Sequence, residues 1–452
     1  MTQLIKLKKG LDIRLKGQAA LSTVTCDVKD GFGFVPDDFV GMKPKMLVRE
    51  GDKVRVGDAL FANKDYPDVK FVSSVSGTVT AIVRGDRRKV LCVKVESDGL
   101  MEHKPVAETK VNTRDEVVSL LAENGMLGFI NQMPYAVSAN NVNLPQSVFV
   151  SAFRDMPLSA DVDYCIADDL ANFKAGIEAL AKVAPVYLNV KKGSKMDCDD
   201  LKKGDCDGVT VTLFDGKCPA GNVNVQINHI KPINKGDTVW TVEPEVVVFI
   251  GRLVTTGKVD LTKKVAVCGS EIKTPIYNKV LVGQSIATVL QGQLNENGKN
   301  KRIINGNVLT GKQTTMEGYV GAHAYEVTVI PEGNDNDEML GWIMPRVNQF
   351  STSRSYFSWL FGKKQYAPDA RIKGGKRHII MSGEYDKVLP MDIMGEYLIK
   401  AIITGDIDRM EQLGIYEVAP EDFALAEFVD SSKLELQRIV REGLDMLRKE
   451  NA

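Results

Sequence analysis

The sequence predicts a multidomain α+β protein, with a β-rich region, an α/β layer, a small mixed sheet and a helical end in that order. Three observations predict it. Over 1–105, apolar and polar residues alternate in short runs broken by Gly-Asp and Lys-Gly turns. Over 106–258, helical periodicity alternates with short apolar runs, the pattern of an α/β layer with parallel pairing. Over 259–332 the period returns to two, and over 333–452 it is helical. A chain of 452 residues can hold several domains, each burying its own core.

In the first region, turns are expected at Lys9-Gly10, Lys16-Gly17 and Gly31-Phe32-Gly33. Met46–Glu96 contains Val48-Arg49-Glu50-Gly51-Asp52-Lys53-Val54, then Val56-Gly57-Asp58-Ala59-Leu60, then Ser76-Gly77-Thr78-Val79-Thr80-Ala81-Ile82. Short strands joined by Gly-Asp turns suggest a small β-sandwich, and the spacing resembles a biotinyl/lipoyl carrier domain. Such a domain presents a modified Lys at a hairpin tip, between Met residues in the biotin version. The hairpin here reads Asn63-Lys64-Asp65-Tyr66-Pro67-Asp68. The sandwich is therefore expected without the attachment chemistry.

The α/β layer opens with a capping box, Thr113 at the cap and Glu116 three residues on. Val117, Leu120 and Leu121 give that helix an apolar face, and Gly125 ends it. Ser147–Ala152 is a short apolar strand. A helix starts near Asp169 with Phe173, Ile177, Leu180 and Ala181 at helical spacing. Pro185–Val190 and Gly208–Phe214 read as strands. Pro244–Thr256 reads as a helix burying Val247, Ile250 and Val254. In the third region Lys264–Cys268, Val280–Ile286, Ile303–Leu309 and Tyr325–Ile330 read as strands of a β-grasp-like sheet. Asn295–Lys301 is a polar turn. The end is helical: Pro390–Thr404 carries Ile393, Tyr397, Ile399 and Ile402, Pro420-Glu421-Asp422 opens a short helix, and Ser432–Lys449 closes the chain.

Composition excludes several classes. A net charge of -1 leaves no electrostatic footprint for nucleic acid. The N-terminus has no apolar signal segment. The longest uncharged stretch, Asn124–Phe153, is too rich in Asn and Pro to span a bilayer, so a soluble or peripheral protein is expected. Seven Cys without a CxxC argue against a disulfide framework and for a reducing, cytoplasmic compartment. Cys198, Cys206 and Cys218 match neither zinc nor iron–sulfur spacing, and His103, His229, His323 and His378 are scattered, so no metal site is expected.

Three segments invite a functional reading. A nucleotide loop after the first helix needs clustered glycines, but Glu123–Pro134 offers only Gly125 and Gly128 among bulky Phe129, Ile130 and Met133, and a packed loop is expected. Pro219-Ala220-Gly221-Asn222, before a helix containing His229, suits either an anion or, on base rate, a plain turn. Within Ser351–Lys364, the candidate partner or membrane interface is Arg354, Tyr356, Phe357, Trp359, Phe361, Lys363 and Lys364, with Leu360 among them. A core helix with a polar end is the alternative. The basic run Arg371-Ile372-Lys373-Gly374-Gly375-Lys376-Arg377 would reinforce the interface. There is no nucleophile motif, catalytic triad, Walker loop or zinc signature, so no catalytic residue is assigned and no complete active site is expected on this chain alone.

Taken in order, Ile5-Lys6-Leu7-Lys8-Lys9-Gly10-Leu11-Asp12, Phe249-Ile250-Gly251-Arg252-Leu253, Asn305-Gly306-Asn307-Val308-Leu309-Thr310-Gly311, Leu340-Gly341-Trp342, Val388-Leu389-Pro390-Met391-Asp392-Ile393, Ile403-Thr404-Gly405-Asp406-Ile407-Asp408 and Leu413-Gly414 resemble one family. That family is the A subunit of the bacterial sodium-translocating NADH:quinone oxidoreductase, and the resemblance covers nearly the whole chain. It implies a peripheral protein at the cytoplasmic face of the bacterial inner membrane, soluble when isolated. The complex oxidises NADH, reduces quinone and exports Na+, using flavins and an iron–sulfur centre. Integral-membrane and flavin-carrying subunits are the implied partners, and quinone is a candidate ligand. The implied fold is a Rossmann-like layer resembling the NADH-binding flavoprotein subunit of respiratory complex I, and that of a related iron–sulfur subunit. Those relatives use a Gly-rich flavin loop and a cysteine cluster near the C-terminus. This chain has Phe129-Ile130-Asn131-Gln132 and Ala426-Glu427-Phe428-Val429-Asp430 there. Where family members carry a basic patch after the first helix, it has Asn131-Gln132-Met133-Pro134. The expectation is a chain with no cofactor of its own, in a scaffold or quinone-access role. The alternatives are a soluble flavin- or NADH-binding subunit of a related electron-transport complex, or a carrier-type module.

Overall fold

The computed structural model describes every residue except 1–2, 29–30, 107–110, 197–207, 335–345, 347, 353–355 and 452. Cys198, Cys206, Arg354 and Leu340-Gly341-Trp342 lie outside the described residues. The architecture is mixed α+β, as expected, and is built on four sheets.

Two small antiparallel sheets form the sandwich. One orders Gly31–Phe34, Val90–Ser97, Gly77–Arg84 and Lys53–Val54; the other orders Pro44–Met46, Ala59–Asn63 and Lys70–Val72. Phe32, Leu60, Val79 and Val93 are buried in its core. Gly31-Phe32-Gly33, read above as a turn, is strand. Gly33 is there for close approach: a Cβ would lie 2.2 Å from the Tyr319 ring. The tip of the carrier-like hairpin leans on the α/β layer, where Asn141 Nδ2 donates to Asp68 at 3.2 Å. The preceding residues do not stay with the sandwich. Gln3–Lys6 pairs in parallel with Val209–Asp215, and Ala20–Thr25 pairs in parallel with Ile276–Leu281.

The α/β layer is a seven-stranded sheet ordered Gln3–Lys6, Val209–Asp215, Val186–Lys191, Ser147–Ser151, Val239–Val242, Asn131–Met133, Val137–Ser138. The first five strands run parallel; the last two are antiparallel additions. Alternation along Ser147–Ser151 divides its faces. Val148 and Val150 join the core with Phe173 and Ile177 of the helix Leu170–Ala181 and Val247 of the helix Pro244–Thr256. Phe149 packs instead with Ile227 of the helix Val223–Ile230. The expected cap is present on the helix Arg114–Glu123: Glu116 N donates to Thr113 Oγ1 at 3.4 Å, and Thr113 N to Glu116 Oε2 at 3.1 Å. Val254, expected in the core, is only half-buried.

The third sheet orders Lys312–Thr314, Lys301–Asn305, Glu326–Pro331, Thr262–Cys268, Ile276–Leu281 and Ala20–Thr25. The strand read as Val280–Ile286 is Ile276–Leu281, and Ile286 begins a helical turn. Buried Gln284 ends the strand, accepting from Leu281 N at 3.2 Å. The strand read as Ile303–Leu309 stops at Asn305.

Helices Gly395–Thr404, Ala424–Val429 and Leu436–Glu450 dominate the C-terminal end. The first starts later than Pro390, because Asp392 N donates across the chain to Asn228 Oδ1 at 3.3 Å. Its Tyr397 is exposed. The last starts later than Ser432, because Asp430 accepts from Ser432 N at 3.0 Å and Leu434 N at 2.8 Å and holds a loop.

The helices Leu170–Ala181 and Pro244–Thr256 meet through glycine. A Cβ on Gly251 would lie 1.7 Å from Asn172 O, and one on Gly176 2.1 Å from Val247 O. Gly251→Ala should destabilise the protein by about 1–3 kcal/mol through overpacking. Gly362→Ala, with nothing within 4 Å, should leave the urea midpoint unchanged. Equal midpoints for both variants would refute the close approach.

Candidate functional site

The parallel strands change direction of succession between Ser147–Ser151 and Val239–Val242, since Val186–Lys191 lies on one side of the first and Val239–Val242 on the other. Open α/β sheets bind ligands outside the carboxyl ends of strands at such a switch point. A cleft of about 410 Å³ opens there, bounded by the parallel sheet, the third sheet and the C-terminal helices.

Arg154 follows the first of these strands and Glu243 follows the second. Glu243 caps the helix Pro244–Thr256 in backbone conformation, but its carboxylate does not cap it. It goes to Arg154 Nη2 at 2.6 Å. Glu245, in the first helical turn, grips the same guanidinium twice, at 2.9 and 2.6 Å. Burial opposes the Arg154 charge, but the carboxylates of Glu245 and Glu243 more than offset it, so the side chain stays charged. Its guanidinium carbon sits 4.0 Å from the ring centroid of Tyr325, which directly precedes the interior strand Glu326–Pro331 of the third sheet. Lys263 Nζ lies 4.8 Å from the same centroid. Lys263 is 3% exposed and donates to the carbonyls of Gly321 at 3.0 Å and Ala322 at 2.8 Å. Burial pulls its ammonium down to about 7, against the nearby carboxylates of Glu245 and Asp38. Glu326, also buried, accepts from Ala160 N at 2.7 Å, and burial raises its carboxyl.

The opposite wall comes from the C-terminal end. Arg441 donates to the carbonyls of Tyr135 at 2.7 Å and Ala136 at 3.0 Å. Asp422 is 1% exposed and lies at the start of the helix Val223–Ile230. It accepts from Asn222 Nδ2 at 3.1 Å and from Ala419 N at 2.8 Å. Burial raises its carboxyl. Asn224 Oδ1, Asp155 Oδ1 and the Tyr325 hydroxyl are buried without a partner around the same cleft. A phosphate needs donors, and two of these three atoms are acceptors only. Among the described residues no group of three His, Cys, Asp or Glu is arranged to hold a metal ion.

Of the segments singled out in the sequence, Pro219-Ala220-Gly221-Asn222 reaches the cleft through Gly221 and Asn222, and the end of Glu123–Pro134 reaches it through Asn131 and Met133. The loop with Gly125 and Gly128 is packed, as expected; Met126, Leu127 and Ile130 are buried. Its glycines admit Val72 and Phe71 of the sandwich. Ala426–Asp430 ends a helix, and Glu427 Oε2 accepts from Gln437 N at 2.9 Å. The aromatic segment is no core helix. Among its described residues only Phe357–Leu360 is helical, as a single 3-10 turn. Phe357, Trp359 and Phe361 are exposed, as is Lys363, while Tyr356 and Lys364 are half-buried. Lys364 Nζ donates to Asn348 Oδ1 at 2.7 Å. None of these residues lines the cleft. Sequence reasoning missed Arg154, Glu243, Lys263, Tyr325 and Asp422. A signal was available for one of them: Glu243-Pro244-Glu245 directly follows an apolar strand and opens a helix.

Three family descriptions match. Residues 5–98 match the NqrA N-terminal barrel-sandwich hybrid domain, residues 112–259 the NqrA second alpha/beta domain, and residues 264–316 the NQRA C-terminal domain. The chain is also similar to curated proteins named as the A subunit of the Na(+)-translocating NADH-quinone reductase. The one from Serratia proteamaculans (strain 568) is 33% identical over 454 residues, spanning 99% of this chain and 100% of the relative. The one from Haemophilus influenzae (strain 86-028NP) is 32% identical, and that from Yersinia pestis bv. Antiqua (strain Angola) 31%, with the same coverage.

Two outcomes test the charge cluster. Arg154→Met strands a Glu245 side chain that is 4% exposed, and should cost about 3–5 kcal/mol by urea denaturation. Adding Glu245→Leu should recover part of that loss; strict additivity would show the pair uncoupled. Lys263 supplies a pH signature. Below about pH 7 it is protonated folded and unfolded alike, and the fold carries the full cost of a buried charge. Between about 7 and its unfolded value near 10.4, only the unfolded chain holds the proton, so stability rises with pH. Lys263→Met should remove this rise, and parallel stability curves for the two proteins from about pH 6 to 9 would refute it.

Proposed function

This chain belongs to the family of the A subunit of the Na(+)-translocating NADH-quinone reductase, and from that premise we propose that it serves the complex as a scaffold without a cofactor of its own. It is a subunit of that translocase and carries no complete active site alone. Other subunits are therefore its partners; we place integral-membrane and flavin-carrying subunits among them. In this reading the chain sits on the cytoplasmic face of the membrane and borders the quinone path. Among the described residues no helix is long and apolar enough to cross a membrane. We read the seven-stranded sheet as Rossmann-like, the six-stranded sheet as β-grasp-like, and the chain as four domains over 1–105, 106–258, 259–332 and 333–452.

One observation supports the absence of a bound redox group above the rest. In this class of sheet an anionic group of the ligand lies against a helix N-terminus at the switch point. Here a carboxylate of the protein, Asp422, lies at the start of the helix Val223–Ile230 and is held by Asn222. When ionised, that carboxylate repels phosphate. The strand ends beside it are joined by Arg154 and its two glutamates.

The experiment is affinity purification of the tagged chain from membranes, followed by separation of the chain alone. Sodium-dependent NADH:quinone reductase activity should co-purify with integral subunits, and the isolated chain should be colourless, with no melting shift on adding flavin or NADH. A flavin spectrum on the separated chain would favour the flavoprotein alternative. A modified Lys in its intact mass would favour a carrier.

The stand-in role of Asp422 has its own test. Asp422→Ala should melt at lower temperature and gain stability in millimolar inorganic phosphate, while the parent chain gains none. A variant indifferent to phosphate would show that the carboxylate does not substitute for an anion.

A further inference from the structure

We propose that the face carrying Phe357, Trp359, Leu360 and Phe361 rests directly on the surface of an anionic lipid bilayer. The turn is held by Ser358, whose hydroxyl donates to Ser351 O at 3.1 Å and accepts from Ser351 N at 3.0 Å. Ser358 is thereby turned inward at 7% exposure. Its neighbours are turned outward: Phe357 is 47% exposed, Trp359 54%, Leu360 55% and Phe361 48%. Phe357, Trp359, Phe361 and Phe428 are all the exposed Phe and Trp side chains among the described residues. Phe428 belongs to the same face, since Phe350 contacts its ring at 6.0 Å and adjoins Ser351 in the chain. Ile380 and Met381, also exposed, are fixed nearby: Ile380 N donates to Ser432 Oγ at 3.2 Å, just beyond the helix bearing Phe428.

Charge identifies the occupant. A chain of net charge -1 places six Lys and Arg between Tyr356 and Gly383 and only one acid, Asp369. That acid is engaged by Arg371 and Lys373. Lys363 and Arg377 are exposed and make no ion pair among the described residues. Exposed aromatics beside unpaired cations are the composition of a surface lying at the headgroup level of an anionic membrane. A protein groove that takes a helix uses anchors one helical turn apart. A single 3-10 turn with bulky groups at successive positions presents no such row; it suits a fluid interface that fills in around each side chain.

The inference deepens the peripheral placement proposed above and rests on it; the experiment separates the two. The full chain is mixed with vesicles containing phosphatidylglycerol, or with pure phosphatidylcholine vesicles, and sedimented. It should bind the first and not the second, and added salt should weaken the binding. With Trp342→Phe in place, Trp359 fluorescence should shift to the blue on binding; Trp240, the other remaining tryptophan, is buried and should not respond. The variant Phe357→Ser/Trp359→Ser/Phe361→Ser, folded by circular dichroism, should lose at least about tenfold in vesicle affinity. A parent chain that ignores phosphatidylglycerol, or a variant that binds as the parent does, overturns the proposal. Co-purification of the variant with the reductase complex reads the other reading independently. A variant shed from the complex, with parent binding to vesicles absent, would assign the face to another protein of the complex and overturn the lipid proposal. A parent chain that never co-purifies would sink the subunit reading whatever the vesicles show.

Discussion

The centre of the molecule depends on one guanidinium staying charged where little water reaches it. Arg154 achieves this by bonding two carboxylates and lying on the ring of Tyr325. Such a cluster adds little net stability, because desolvation cancels much of the attraction. Its contribution is geometric. It ties the end of one parallel strand to the start of a helix, and it joins the seven-stranded sheet to the third sheet through Tyr325. Lys263 lies on the same ring, so two cations share Tyr325 beside the cleft.

That arrangement changes what the switch point can do. The ordinary use of such a crevice is to cradle a phosphate with backbone N–H groups. Here the strand ends are occupied by an internal salt bridge. Under the proposed scaffold role, the crevice serves as a structural joint.

Much of the fold was legible because it is written locally. The Thr113–Glu116 cap and the Pro244–Thr256 helix need only a few neighbours in sequence to be specified. The sandwich was legible through its Gly-Asp turns. What failed was set at long range. Asn228 bonds Asp392, 164 residues downstream, and delays a helix there; buried Gln284, whose amide donates to Asp27 O 257 residues away, halts a strand that local hydrophobicity would have prolonged. The cleft was illegible for the same reason. Arg154, Glu243 and Tyr325 come from three separate segments, and no single window contains two of the three. The exposed aromatics were legible as a feature but not in direction, since a helical core and an open face share the same composition until Ser358 is seen pointing inward.

The threading of the first strands bears on biosynthesis. Gln3–Lys6 and Ala20–Thr25 leave the ribosome first, yet their hydrogen-bonding edges, Val209–Asp215 and Ile276–Leu281, emerge some two hundred residues later. The nascent chain must keep an uncompleted leader waiting while the sandwich behind it closes, and that leader is open to mispairing in the interval. Maturation of this polypeptide therefore cannot proceed strictly from head to tail: these early strands find their places only after Val209–Asp215 and Ile276–Leu281 have been made.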